Sequence, residues 1–277
     1  MSPQPTFWSN PTYLRTEQYR TDENLADRQR IHELFSTNPQ NWMVWVLGMG
    51  RVEARQKLLD VGCGNGRLWS QNFSPEHPAH LDVTLLDLSR GMVEIATKAI
   101  AGRVTHWRGI EGDAMALPFP TDRFDRIFAN HMLYHVPSPA KAITEIRRVL
   151  RPGGRVVAAL NGAAHMRELW TLVGDLLGIP LAPASSAVAF GPVAATSLFR
   201  VNFKRVTKHP FDDSLRVTDA DLLWRYVIST NALREVLHDS VDLHAVEEKF
   251  KETVNRAIQR DGYFFIQKDV VAFVCEK

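Results

Sequence analysis

Two stretches of this sequence carry residue types at spacings that chemistry can use. In "LLDVGCGNGRLW", residues 58–69, Gly62, Gly64 and Gly66 alternate directly behind an apolar run. Glycine inside a strand or helix costs about 0.5–1 kcal/mol against alanine. Three together mark a turn whose backbone N–H groups come close to a ligand. In "FDRIFANHMLYHVP", His131 and His135 stand four residues apart with Tyr134 between them. Histidines at that spacing can bind zinc, but Met132 stands where the acid of H-E-x-x-H belongs, so no metal is expected. His131, directly behind an apolar strand, is the first candidate for a base or an orienting group. His135 is a second candidate, its other reading being packing within the loop.

Residues beyond the glycine turn narrow the choice of its ligand. A dinucleotide fingerprint G-x-G-x-x-G puts its last glycine at the sixth position, where this chain has Arg67, and Gly66 comes one residue early. That argues against a nicotinamide dinucleotide. Arg67-Leu68 also stand where a phosphate-binding loop has its Lys-Ser or Lys-Thr. Asp87 ends the second apolar run, 21 residues beyond Gly66, where a carboxylate can accept both hydroxyls of a ribose. Asp113, in "EGDAMALPF", can accept from an adenine amine while Ala114 offers its backbone N–H to a ring nitrogen. Together these describe a site for an adenosine without phosphates.

Such residues need elements to hold them. "KLLDVG", "DVTLLDLS", "VTHWRG", "FDRIFANHML" and "GGRVVAALNG" read as short, mostly apolar strands. Between them, "GRLWSQNF" starts a helix, "RGMVEIATKAI" has an apolar face at Met92, Val93, Ala96 and Ile100, and "SPAKAITEIRRVL" is a helix capped by Ser138. Strands alternating with helices across short turns predict parallel βαβ units, an α/β doubly wound sheet covered on both faces. Ahead of them, residues 1–52 read as an irregular arm and two lid helices. The first, "TDENLADRQRIHELF", is capped by Thr21 or Asp22 with Leu25, Ile31, Leu34 and Phe35 on its apolar face; the second is "WMVWVLGMGRV". After Asn161 the rhythm breaks. "AAHMRELWTLVGDLLGI", "TDADLLWRYVIS" and "DLHAVEEKFKETVNRAI" are helical, "PLAPASSAVAFGP" is loop-like, "LFRVNFKRVTKHPF" contains a strand, and "GYFFIQKDVVAFVCE" is a final strand with a bend. The domain is therefore expected over 53–277, with helical insertions at about 161–200 and 212–260 forming a substrate cap. Trp170, Trp224 and Tyr226 from these insertions can line an apolar pocket, or simply pack helix on helix.

"LLDVGCGNG", "LLDLSRGM", "GDAMALPFPTDRFD" and "LRPGGRVV", in this order and spacing, resemble a class I S-adenosylmethionine-dependent methyltransferase of the ubiquinone/menaquinone-type and natural-product branch. The resemblance covers roughly residues 55–160. It implies a seven-stranded Rossmann-like sheet whose last strand inserts antiparallel. It also implies S-adenosyl-L-methionine as cofactor and S-adenosyl-L-homocysteine as product. Asp60, Gly62, Gly64 and Gly66 would surround the methionine moiety, although Gly66 has helix packing as its alternative role. Asp87 and Leu88 would hold the ribose, Asp113 and Ala114 the adenine, while Asn130 and His131 would lie beside the sulfonium. The arm of such enzymes folds over the cofactor as a lid, so Tyr19 joins the catalytic candidates. Arg28 becomes a candidate partner of the cofactor carboxylate, and Tyr13, Tyr134, Trp170 and Trp224 candidate substrate contacts. Phe7 and Trp8 could seal the arm.

Composition sets the boundary conditions. The chain has 277 residues, 45% hydrophobic and 23% charged, with 33 Lys plus Arg against 31 Asp plus Glu. Its densest basic stretches, "RRVLRPGGR" and "FKRVTKH", are short and interrupted. Neither makes a nucleic-acid stripe. "MSPQPTFWSN" lacks a signal-peptide pattern, no 18-residue apolar run occurs, and Cys63 and Cys275 read as reduced thiols, so a cytoplasmic protein away from membranes is expected. The expected activity is methyl transfer to carbon, nitrogen or oxygen of a small, aromatic or apolar metabolite, in bacterial secondary metabolism. A homodimer is left open. The alternatives are an RNA or protein methyltransferase, and a member of the fold that binds the cofactor without transferring its methyl group.

Overall fold

The computed structural model describes residues 9–77, 79–179, 181, 190–236 and 241–277. A turn at Pro11–Tyr13 and a π-helical turn at Leu14–Gln18 lead into α1 (Glu23–Phe35) and α2 (Trp42–Met49). Asp22 stands at the N-cap of α1 without a side-chain bond, whereas Asn41 caps α2 by accepting from Met43 and Val44 amides. The core comprises β1 (Lys57–Val61), α3 (Arg67–Ser70), β2 (Ala79–Asp87), α4 (Arg90–Ile100), β3 (Val104–Glu111), β4 (Phe124–Asn130), α5 (Pro139–Val149) and β5 (Leu150–Asn161). Beyond it lie α6 (Arg167–Leu177), α7 (Pro192–Asn202), β6 (Arg205–Phe211), β7 (Ser214–Val217), α8 (Ala220–Ile228), α9 (Asn231–Val236), α10 (Leu243–Asp261), β8 (Phe264–Gln267) and β9 (Val270–Glu276).

Seven strands form one sheet in the order β3-β2-β1-β4-β5-β9-β6, with β9 antiparallel to both of its neighbours. Chain direction across the sheet reverses between β1 and β4, and in open α/β sheets ligands bind at the carboxyl edge of such a switch point. Alternation along each strand sends neighbouring residues to opposite faces. Leu58, Phe128, Val157 and Ala272 pack with Val46 of α2, Trp69 of α3 and Ala96 of α4. Leu59, Ile127, Val156 and Phe273 pack with Ile143 and Ile146 of α5 and Phe199 of α7 on the other face. Because both faces are covered, the strands are apolar throughout. The two edge strands are the exceptions: β3 has Thr105 to Gly109 exposed, and β6 exposes Arg205, Thr207, Lys208 and Pro210.

"LFRVNFKRVTKHPF" contains a strand as expected, and one sequence expectation, that of a final bent strand, changes here. "PVAATSLFRVN" is helix α7, and the strand begins only at Arg205. Pro192 occupies the first helical turn, where its missing N–H costs nothing, and buried Ala195 and Phe199, one turn apart, dock the helix on the core. "GYFFIQKDVVAFVCE" is two strands, not one bent strand: β8 pairs with β7 in a separate two-stranded sheet, then Lys268 and Asp269 turn the chain into β9. "PLAPASSAVAFGP" falls largely outside the described residues, as do Phe7 and Trp8. Among the described residues no helix is long and apolar enough to cross a membrane.

A second core, made by α1, α6, α8, α10, β7 and β8, sits over the carboxyl edge of the large sheet as a cap. α1 contributes only Ile31 to it as a fully buried residue; Leu34 is exposed, against expectation. The reason is the helix's other face. Leu25, Arg28, Gln29, His32 and Ser36, at helical spacing, turn toward a cavity.

Candidate active site

That cavity has a volume of about 580 Å³. It opens at the switch point, and the ends of β1, β2, β4 and β5 all deliver residues to its wall. Asp60, on β1, is buried, and its Oδ2 accepts from Trp69 Nε1 at 2.8 Å. Burial, opposed by that bond, holds the Asp60 carboxyl up at about 7. Behind it the glycine turn is pinned to β2, with Gly62 N–H donating to Leu86 O at 2.7 Å and Gly64 N–H to Asp87 Oδ2 at 3.0 Å. Gly64 has φ +54°, which a side chain would strain. The other Asp87 oxygen, Oδ1, accepts from Ser89 N–H at 2.9 Å. Asp113 turns back to accept from Met115 N–H at 2.8 Å. Leu88, Ala114 and Met115 complete this part of the wall.

Gly66 belongs elsewhere. It does not line the cavity; a Cβ there would lie 2.9 Å from Ala96 Cα, so its bare backbone lets α3 and α4 meet. The helix-packing alternative is the one the structure takes.

Asn130 and His131 come at the end of β4. The Asn130 Oδ1 is buried without a hydrogen-bond partner among the described residues. His131 has φ +54°, an uncommon conformation for a residue with a side chain, and its ring lies 5.5 Å from that of Trp42. Burial first, then Lys268, pull His131 down to about 4, opposed by a side-chain bond with Asn161. At neutral pH its imidazole is uncharged. His135 sits one turn further on, its Nε2 3.1 Å from Tyr19 Oη. Burial raises the Tyr19 phenol, so this contact joins neutral groups.

Tyr19 and Arg28 tie the lid down. Ser89 Oγ donates to Tyr19 O at 2.6 Å, the Arg28 guanidinium lies 5.5 Å from the Tyr19 ring centre, and Arg28 Nη1 donates to Ser229 O at 2.6 Å. Arg28 Nη2 is buried and has no hydrogen-bond partner among the described residues. Further along α1, Gln29 exchanges bonds with Asn65 and accepts from Arg67, and Glu33 pairs with Arg67. The lid helix is thus bonded to the glycine turn itself.

Three expected substrate contacts lie elsewhere. Tyr13 is off the cavity, its hydroxyl bonded to Gln18 and Asn231 at 3.3 and 3.2 Å. Trp170 and Trp224 are core residues of the cap: the Trp170 ring lies 6.4 Å from that of Tyr226, and Trp224 lies 5.2 Å from Phe250. Their size made them pocket candidates, but the cap needs them to bury its own helices. Tyr134, in contrast, lines the cavity.

Tyr226, named with those tryptophans, does line the cavity; what the sequence did not single out is the rest of the far wall: Trp42, His32, His165 and the pair Lys268–Asp213. Asp213 is buried, bonded to Lys268 Nζ, and accepts further bonds from Ser36 Oγ at 2.7 Å and from the Thr37 and Asn38 amides. Burial pulls His165 down to about 3, with His131 and Lys268 adding to the effect. No motif spacing links residues 32, 42, 165, 213 and 268, so only the fold could bring them together. Among the described residues, no group of three or more His, Cys, Asp or Glu is placed to hold a metal ion.

A methyltransferase-domain profile matches residues 59–158. The demethylmenaquinone methyltransferase of Renibacterium salmoninarum is 38% identical over 176 residues, 64% of this chain and 69% of that protein. The chain belongs to the class I S-adenosylmethionine-dependent methyltransferases. Several other demethylmenaquinone methyltransferases, at 31% identity, are matched over 61–62% of their own length. Among solved structures, phosphoethanolamine N-methyltransferase 2 of Haemonchus contortus in complex with S-adenosyl-L-methionine superposes with a TM-score of 0.56. It is 18% identical, over 96% of this chain and 59% of that one. The [4+2]-cyclase SpnF gives 0.53 at 18% identity over 99% and 98%. At such identity these two share the fold of this methyltransferase.

Proposed function

We propose that this methyltransferase methylates a small, apolar or aromatic metabolite held under its cap, in the cytoplasm and as part of secondary metabolism. The observation that carries the reading is one continuous cavity whose wall holds both the strand-end acids and the aromatic and histidine group beneath the cap. The name of its demethylmenaquinone-methylating relatives supports a ring-bearing acceptor. The near balance of 33 basic and 31 acidic residues speaks against a nucleic-acid acceptor.

The unmet polar atoms fit an amino-acid-bearing adenosine. Asn130 Oδ1 is a buried acceptor without a donor and Arg28 Nη2 a buried donor without an acceptor. With Asp60 they would take the ammonium and carboxylate of the cofactor. Asp87 would hold the ribose hydroxyls, and Asp113 and Ala114 the adenine. When bound, S-adenosylmethionine supplies a methyl group already activated by its sulfonium. The protein then has only to hold a nucleophile in line, at roughly 3–3.5 Å. His131, neutral and fixed by Asn161, orients the acceptor and can take its proton. The lid, closed by Tyr19, Arg28 and Gln29, excludes water.

The test is incubation with methyl-labelled cofactor and a metabolite panel that includes hydroquinones. Label on a small molecule, with stoichiometric S-adenosylhomocysteine and little loss of binding in added salt, is the expected result. Label only on RNA or protein, or cofactor binding without any product, overturns it.

A further inference from the structure

One cavity residue has no role in the chemistry above. His32 lies on the cavity face of α1, one helical turn beyond Arg28. Its Nδ1 is buried and has no hydrogen-bond partner among the described residues. An unmet buried polar atom costs about 1–3 kcal/mol, which a ligand can recover. The two neighbouring histidines are better provided for. His131 bonds the side chain of Asn161. His165 Nδ1 accepts the Asp269 N–H at 3.3 Å, which leaves its proton on Nε2.

The surroundings of His32 decide what it can offer. Its ring stands edge-on to Tyr226, with centres 5.9 Å apart and planes at 88°, and 6.3 Å from the His165 ring. Burial, the cations Lys268 and Arg67 and the two other histidines all oppose a positive charge on it. A neutral imidazole keeps one bare nitrogen lone pair whichever nitrogen carries the proton. Trp42, Tyr134 and Tyr226 add aromatic surface to the wall, beside the polar Asn161, Asp213 and Lys268. Resting on the proposed small-molecule acceptor, we infer that His32 is a specificity-determining contact: its ring accepts a hydrogen bond from a hydroxyl or N–H on an aromatic acceptor. Rings carrying such a donor are thereby selected over their blocked analogues. Because His32 rides on the lid, the contact forms only when the lid is seated on the glycine turn.

The experiment measures binding of 2-naphthol, 2-naphthylamine and 2-methoxynaphthalene to the full chain saturated with S-adenosylhomocysteine. Saturation itself is measured first, so failure to bind that product counts against the proposed function and not against His32. Naphthol and naphthylamine are expected to bind at least fivefold more tightly than the methoxy compound. The preference should vanish in His32→Phe and survive in His32→Gln, whose amide oxygen still accepts. If the Phe variant does not fold, 15N spectra of the wild type decide: the ring signal missing from His32→Gln should move with naphthol and not with the methoxy compound. Equal binding of the three probes, no binding of naphthol, a preference that persists in His32→Phe, or a His32 signal that naphthol leaves unmoved overturns the inference.

Discussion

The two ends of the cavity are built on opposite principles. The end formed by β1, β2 and the glycine turn presents carboxylates, each held by N–H donors: Asp60 by Trp69, Asp87 by the Gly64 and Ser89 amides. The end under the cap presents imidazoles, kept uncharged by burial and by Lys268. On the proposed function, one end would take the positively charged cofactor with its many polar atoms and the other an uncharged ring. A methyl cation equivalent passes from the first environment to the second. The contrast explains why the protein spends its buried donors at one end and its aromatic surface at the other.

The sharpest separation of the two ends comes from the cap core. Trp224→Ala removes a buried indole from the cap and should cost about 3–5 kcal/mol in unfolding free energy. Because Trp224 is off the cavity, any folded fraction should retain wild-type affinity for S-adenosylhomocysteine, measured by calorimetry. Next in size is His131→Asn, chosen because asparagine tolerates the left-handed backbone there. Turnover should fall about a hundredfold with cofactor affinity nearly unchanged; full activity would remove His131 from the chemistry.

Acidity should act on the two ends with opposite sign. The folded chain keeps a proton on Asp60 up to about 7, whereas an unfolded aspartate releases it near 3.8, so raising the pH between those values costs stability at that end. An unfolded histidine takes up a proton near 6.5, but folded His165 refuses it until about 3, so lowering the pH through that window costs stability under the cap. For His165 the loss at pH 5 is on the order of 2 kcal/mol. Melting curves of the ligand-free protein between pH 4.5 and 7.5 should therefore fall less steeply on acidification in His165→Gln and more steeply in Asp60→Asn. Parallel curves would show that the two ends are not so opposed.

Asp87→Ala should weaken cofactor affinity at least tenfold, about 1.4 kcal/mol, since it also leaves two amides without an acceptor; unchanged calorimetric binding would discard the ribose assignment. The smallest effect is expected at the latch. Tyr19→Phe removes one neutral hydrogen bond to His135, worth about 1 kcal/mol. KM for the cofactor should rise a few-fold with kcat little changed. A large fall in kcat at constant KM would instead put Tyr19 among the reacting groups.

The same contrast governs how much the sequence could disclose. The acid end is written within residues 58–115, because a strand, its turn and the next strand end bring Asp60, Gly64, Asp87 and Asp113 together without distant partners. The sheet is legible for a similar reason: apolar runs with short turns permit few other arrangements. The cap end draws on residues 32, 42, 131, 165, 226 and 268. These converge only because β9 inserts beside β5 and α1 folds back over the sheet. Large aromatic residues misled there: Trp170 and Trp224 pack the cap, while Trp42, in a helix that reads as plain core, faces the ligand space. The apolar run of α1 misled likewise, since its cavity face consists mainly of polar residues at helical spacing. Gly66 was ambiguous in the sequence because a glycine spared for a ligand and one spared for a helix look alike until Ala96 is placed beside it.

The register of the last two strands of the large sheet gathers most of the cap into one excursion, to which α1 and α6 add from outside. Phe211 of β6 pairs with Val270 of β9, so the polypeptide leaves the sheet and re-enters it at adjacent positions. Everything between, including β7, α8, α10 and β8, is an excursion from a closed stem. Exchanging this segment with that of a homologous protein should therefore alter only the part of the cavity wall given by Asp213, Tyr226 and Lys268, leaving His32, Trp42, His131, His165 and the acid end as they are.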